Sequence, residues 1–93
     1  MRIEVRCFAA AREAVGARVV GLDVPPETTV GDVRRLLFER YPTLASLRLQ
    51  FAVNMSYVRE DATAPGATVS ELTFATLLHP GDEVACIPPV GGG

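Results

Sequence analysis

Only one stretch of this chain has the periodicity of a long helix, and it is bounded on both sides. Val30, Val33, Leu37 and Tyr41 fall at i, i+3, i+7 and i+11, a single apolar stripe. Arg34, Arg35, Glu39 and Arg40 lie largely off that stripe, which reads as a solvated face. Thr29 is placed to start the helix and Asp32 stands three residues on, a capping box in which Asp reaches back less well than Glu. Pro42 stops it, because the residue before a proline is pushed out of helical geometry.

The remaining patterned stretches read as strands. From Met1 to Ala9, Ile3, Val5 and Cys7 alternate with Arg2, Glu4 and Arg6, the period-two pattern of a half-buried strand. A short Ala-rich turn or helical piece closes at Gly16. A second strand, Ala17 to Val24, turns Val20, Leu22 and Val24 to one face and ends at Pro25-Pro26. The short connection allows a hairpin. Leu44, Leu47 and Leu49 lead into a third strand, LQFAVN, with Asn54 suited to the turn and MSYV returning from it. Residues 60–70 are small and polar around Pro65-Gly66 and read as a mobile loop. ELTFATLL fits a short helix or a strand equally. His79-Pro80-Gly81-Asp82 is a turn, and EVACI is the last strand, ended by Pro88 and Pro89, which cannot donate to a ladder. One amphipathic helix must bury its stripe on one sheet. The predicted fold is α+β, a ubiquitin-like β-grasp with a mixed four- to five-stranded sheet packed on one main helix. A single domain spans 1–90, with a flexible Gly-Gly-Gly tail at 91–93.

The chemistry of a self-sufficient enzyme is missing from this pattern. The one histidine, His79, sits in a turn, where a surface role is expected. No Ser-His-Asp set, Cys/His zinc spacing, Walker loop or GxGxxG occurs, so no catalytic residue and no metal site is assigned. The net charge of −2, with scattered Arg, argues against a nucleic-acid partner. No apolar run approaches the roughly 20 residues that span a bilayer. Charges interrupt the N-terminal apolar stretch, unlike a signal peptide, so the expected location is the cytoplasm. Cys7 and Cys86 fit small core residues rather than a structural disulfide.

What remains is IPPVGGG. The prolines fix φ and favour a projecting chain. Three glycines span at most roughly 10 Å. Without a Cβ they suit a narrow tunnel. Their α-carboxylate, inert as it stands, becomes electrophilic as an acyl-adenylate, and a sulfur donor then converts it to a thiocarboxylate. A glycine run is also a common disordered end; here it directly follows a sheet-ending Pro-Pro in a ubiquitin-like pattern.

With those residues in view the chain resembles the ubiquitin-like sulfur-carrier family of the ThiS and MoaD type, and within it the small subunits of molybdopterin synthase. VRCFAAAREAVG is similar to the family's first strand and its FA-x-x-RE-x-x-G turn. Thr29 to Leu37 and FAVN-x-x-YV fit the helix and third strand. PGDEVACIPPVGGG fits the terminal pattern, with Gly91 at a variable position. The PPV-x-GG ending favours this group over thiamine-pathway carriers, which tend to be shorter.

The resemblance implies a non-catalytic, sulfur-donating subunit with no stably bound cofactor. A ubiquitin-activating-like adenylyltransferase would use ATP and magnesium to adenylate Gly93, and a sulfur donor protein would leave the thiocarboxylate. Gly91, Gly92 and Gly93 would thread into the large subunit of a heterotetrameric synthase, and the sulfur would pass to cyclic pyranopterin monophosphate. Three alternatives stay open: a carrier for thiamine, cysteine or tRNA thiolation, a ubiquitin-like modifier joined to lysines through Gly93, and a plain interaction module. Relative to the family, Asp61 to Phe74 is an insertion, read as an inert loop or as a partner contact. Beside the tail, Phe8, Ile87, Pro88, Pro89 and Val90 are candidates for an apolar patch that docks the partner. Phe8 and Ile87 lie opposite in parity to Cys7 and Cys86. Core packing of Phe8 is the competing expectation.

Overall fold

In a computed structural model of the chain, residues 1–58 and 72–88 are described. They form β1 (Arg2–Cys7), α1 (Ala9–Val15), β2 (Val19–Asp23), α2 (Val30–Arg40), a 3₁₀ helix (Pro42–Ser46), β3 (Gln50–Val53), β4 (Ser56–Tyr57) and β5 (Glu83–Ile87). The five strands make one sheet in the order β2-β1-β5-β3-β4. The first and last strands are central and parallel; the other three pairings are antiparallel. This is the β-grasp arrangement that the patterning predicts.

The capping box at α2 is complete. The Thr29 N–H donates to Asp32 Oδ2 at 3.0 Å, and the Asp32 N–H donates to Thr29 Oγ1 at 3.1 Å. The shorter Asp reaches back after all. These bonds, the Thr29 N–H first and then its hydroxyl, hold the Asp32 carboxyl below its ordinary value of 3.8, with Arg35 adding to them. A depressed carboxylate contributes stability that is present above its unfolded pKa and is lost as pH falls through the folded one. Stability should therefore decline below about pH 4 in the wild type, and Asp32→Asn should flatten that acid limb in melts recorded across pH. Thr29→Ala should cost about 1 kcal/mol at neutral pH by the same measurement.

The stripe of α2 packs as its spacing requires. Val30 and Val33 are fully buried and Leu37 nearly so, against Ile3, Val5, Phe51 and Val84 of the sheet. Helix α1 is the short piece read from AAAREAV; it takes over Phe8 and Ala9, which the first strand was expected to include. It ends where Gly16, at φ +85°, supplies a left-handed cap. Pro42 stops α2 but also opens the 3₁₀ turn, which buries Leu44. The leucines before β3 therefore approach by a turn and not as a lead-in strand.

The described part of ELTFATLL, from Leu72, is neither helix nor strand and straps the start of α2. The Val30 N–H donates to Thr76 O, the Gly31 N–H to Phe74 O at 2.8 Å, and Leu77 makes one bridge with Thr29. A Cβ on Gly31 would stand 3.0 Å from that Phe74 oxygen, so glycine sets how close the strap comes. Phe74 meets Phe51 edge-on at 6.0 Å, and the Arg34 guanidinium lies over both Phe38 and Phe74. The distal end of the expected insertion thus packs against the core. The loop read at 60–70, and the rest of the insertion to residue 71, lie outside the described residues.

Candidate functional site

Helix α2 covers one face of the sheet. On the other face the outward residues sort into two ends. At one end Arg2 faces Asp23 at 3.4 Å, and Arg6 reaches Glu83 at 3.1 Å. At the other end the surface turns apolar and sinks into a hollow of about 500 Å³. Phe8, Met55, Tyr57 and Ile87 rim it, Ala52 and Ala85 are its floor, and the Arg6–Glu83 pair bounds it.

Local sequence explains each position. Phe8 follows β1 in outward parity and is the N-cap of α1, which leaves its ring 43% exposed. The competing expectation of core packing does not hold: Phe8 is a surface side chain. Ile87 has the outward parity of Ala85, while Val84 and Cys86 face the helix and are fully buried. Tyr57 reaches the hollow because β4 pairs Tyr57 with Ala52 across a two-residue turn. Both turn residues have positive φ, Asn54 at 48° and Met55 at 73°, as a type I′ hairpin demands. Asn tolerates that geometry; Met does not, yet Met55 stands 90% exposed at the rim. A strained, exposed apolar residue beside an apolar hollow points to use rather than packing. Met55→Gly should raise stability by about 1 kcal/mol, read from thermal melts.

The strand that leads to the tail is held on both sides. Gln50 of β3 pairs with Ile87, Phe51 with Cys86, and Cys7 of β1 with Cys86. At the other end of β5 the Asn54 N–H donates to Glu83 O, Glu83 N–H donates to Asn54 Oδ1, and Asn54 Nδ2 donates to Asp82. The exit point beyond Ile87 is therefore fixed relative to the hollow. Pro88 is half-buried just past the strand end and does not line the hollow. Pro89, Val90, Gly91, Gly92 and Gly93 lie outside the described residues. His79 is exposed in its turn, where its N–H donates to Asp82 at 2.8 Å. Among the described residues no cluster of three or more His, Cys, Asp or Glu could hold a metal ion, and no helix is long and apolar enough to cross a membrane.

Sequence parity found Phe8 and Ile87 but not Tyr57, Met55, Arg6 or Glu83. Arg6 and Glu83 share the outward parity of Phe8 and Ile87 and could have been found that way. Tyr57 could not, because its face depends on the register of the β3–β4 hairpin.

The profile of the ThiS family matches residues 5–76. The chain is 37% identical over 94 residues to small archaeal modifier protein 3 of Haloferax volcanii, covering all of both. It is also 37% identical over 95 residues to the human molybdopterin synthase sulfur carrier subunit, covering 99% of this chain and 94% of that protein. The crystal structure of SAMP1 from Haloferax volcanii superposes with a TM-score of 0.75 at 25% identity, covering all of both chains.

Proposed function

We propose that this chain, which belongs to the ThiS family, is the sulfur carrier subunit of a molybdopterin synthase. The observation that carries the reading is the pairing of β5 with β1 up to Cys86 and with β3 up to Ile87, beside an apolar hollow. A folded handle and a docking face stand in fixed relation to the point where the tail departs. Full-length similarity to a protein named as such a subunit supports the same reading.

The chemistry follows from the tail. The Gly93 carboxylate attacks the α-phosphorus of ATP-magnesium in a ubiquitin-activating-like adenylyltransferase and releases pyrophosphate. The terminal sulfur of a persulfide on a donor protein then displaces AMP from the acyl carbon. A second thiol attacks the donor-side sulfur of the resulting acyl disulfide, forming a disulfide with the donor and releasing the thiocarboxylate. Gly91, Gly92 and Gly93 thread into the large subunit, where the sulfur passes to cyclic pyranopterin monophosphate. This chain contributes positioning and no proton-transfer group.

The hollow docks the large subunit. Phe8→Asp should leave the melting temperature within about 2 °C and weaken binding to the large subunit more than about tenfold, the loss expected of an aromatic anchor. Isothermal titration reads the second effect. Unchanged affinity would place the docking face elsewhere, and a collapsed melt would put Phe8 in the core.

A second reading has its own support. The archaeal relative of equal identity is named a modifier protein, and a modifier needs the same activated tail. Intact-mass and immunoblot analysis of cells expressing a tagged chain separates the two. Adducts on lysines of other proteins, lost on removal of Gly93, would support the modifier; their absence leaves the carrier.

A further inference from the structure

The two cysteines stand together. Cys7 is the last residue of β1, and Cys86 is its direct neighbour in the parallel register with β5. Adjacent strands lie roughly 4.8 Å apart, within the Cα separation a disulfide accepts. Both side chains leave the helix-covered face, 3% and 0% exposed, and each thiol perturbs the other's ionisation.

Their cover is weak. Helix α1 packs over the ends of β1 and β5, yet it has only seven residues, no side-chain cap and no acid in its first turn. Its first residue, Ala9, sits at φ +48°. A helix this short is not self-supporting, and a strained start favours local opening.

We propose that Cys7 and Cys86 form a reversible disulfide in the folded protein when it meets a small disulfide oxidant such as oxidised glutathione. The Cys7 thiolate attacks one sulfur of the oxidant and expels one glutathione thiolate. Cys86, giving up its proton, then attacks the Cys7 sulfur and expels the second. Two electrons pass to the oxidant, and the protein loses two hydrogens. The neighbouring thiol lowers Cys7 below its ordinary value, which suits it to the first attack. Cys86 is raised chiefly by Cys7 itself and then by burial, and capping Cys7 removes the first cause. The bond ties β5 to β1 just before Ile87 and Pro88, so the tail's point of departure becomes sensitive to oxidant. This inference does not depend on which acceptor receives the sulfur, or on whether the chain carries any.

The test is the intact mass of the full chain after incubation with oxidised glutathione in native buffer, with circular dichroism recorded throughout. The expected result is a monomer lighter by two hydrogens, with both free thiols lost and both restored by dithiothreitol. Cys7→Ala and Cys86→Ala should each fail to lose hydrogens; Cys7→Ser and Cys86→Ser repeat the test if an Ala variant fails to fold. Thiols that react only in denaturant would overturn the proposal. A stable glutathione adduct on the wild type, or a covalent dimer, would do the same.

Discussion

Phe51→Ala should destabilise the protein by about 3–5 kcal/mol, the range for removing a buried aromatic side chain from a core. Phe51 is 2% exposed and is among the largest fully buried groups. Its ring lies 6.5 Å from Phe38 of α2 and 6.0 Å from Phe74 of the strap, while its backbone pairs with Cys86 of β5. One side chain thus joins the sheet, the main helix and the segment that precedes the last strand. A domain of this size is typically stable by only about 5–15 kcal/mol, so the variant should lose a large share of its margin. Its melting temperature should fall by more than about 10 °C. Phe8→Ala, which removes the same group from an exposed site, should shift it by much less. Equal losses at the two positions would contradict the placement of the core.

The second large effect is on function and leaves the fold alone. Removing Gly92 and Gly93 should abolish sulfur loading and transfer entirely. The described strand ends at Ile87, and among the described residues the buried cluster uses nothing beyond Cys86. The truncated chain should therefore melt with the full one and still bind the large subunit through the hollow. A truncated chain that supports sulfur transfer would reduce the protein to an interaction module. A truncated chain that fails to fold would mean that the tail serves the domain rather than a partner.

Much of this fold was legible because its signals are local. The stripe Val30, Val33, Leu37 and the Thr29–Asp32 pair identify α2 from positions at most a few residues apart, and β1, β2 and β5 follow from period-two alternation. The elements that patterning missed depend on distant partners. Leu44 is buried by a 3₁₀ turn whose reason is its packing against the core, and the segment from Leu72 to Leu78 takes its shape from hydrogen bonds to Thr28, Val30 and Gly31. The site divides the same way. Phe8 and Ile87 follow from parity within strands. Tyr57 needs the hairpin register, and Met55 needs the positive φ of a turn that its residue type argues against. The tail to Gly93 lies outside the described residues; its assignment rests on the sheet-ending Pro-Pro before it and on the family's terminal motif, since a glycine run has no pattern of its own.

The measurement that bears most directly on the carrier function is the intact mass of the chain after incubation with ATP, magnesium, a cognate activating enzyme and a sulfur donor. The carrier reading predicts a mass gain equal to exchanging one oxygen for one sulfur, located at Gly93 and absent when Gly93 is deleted. An unchanged mass, with the enzyme shown to be active on its own carrier, would contradict it.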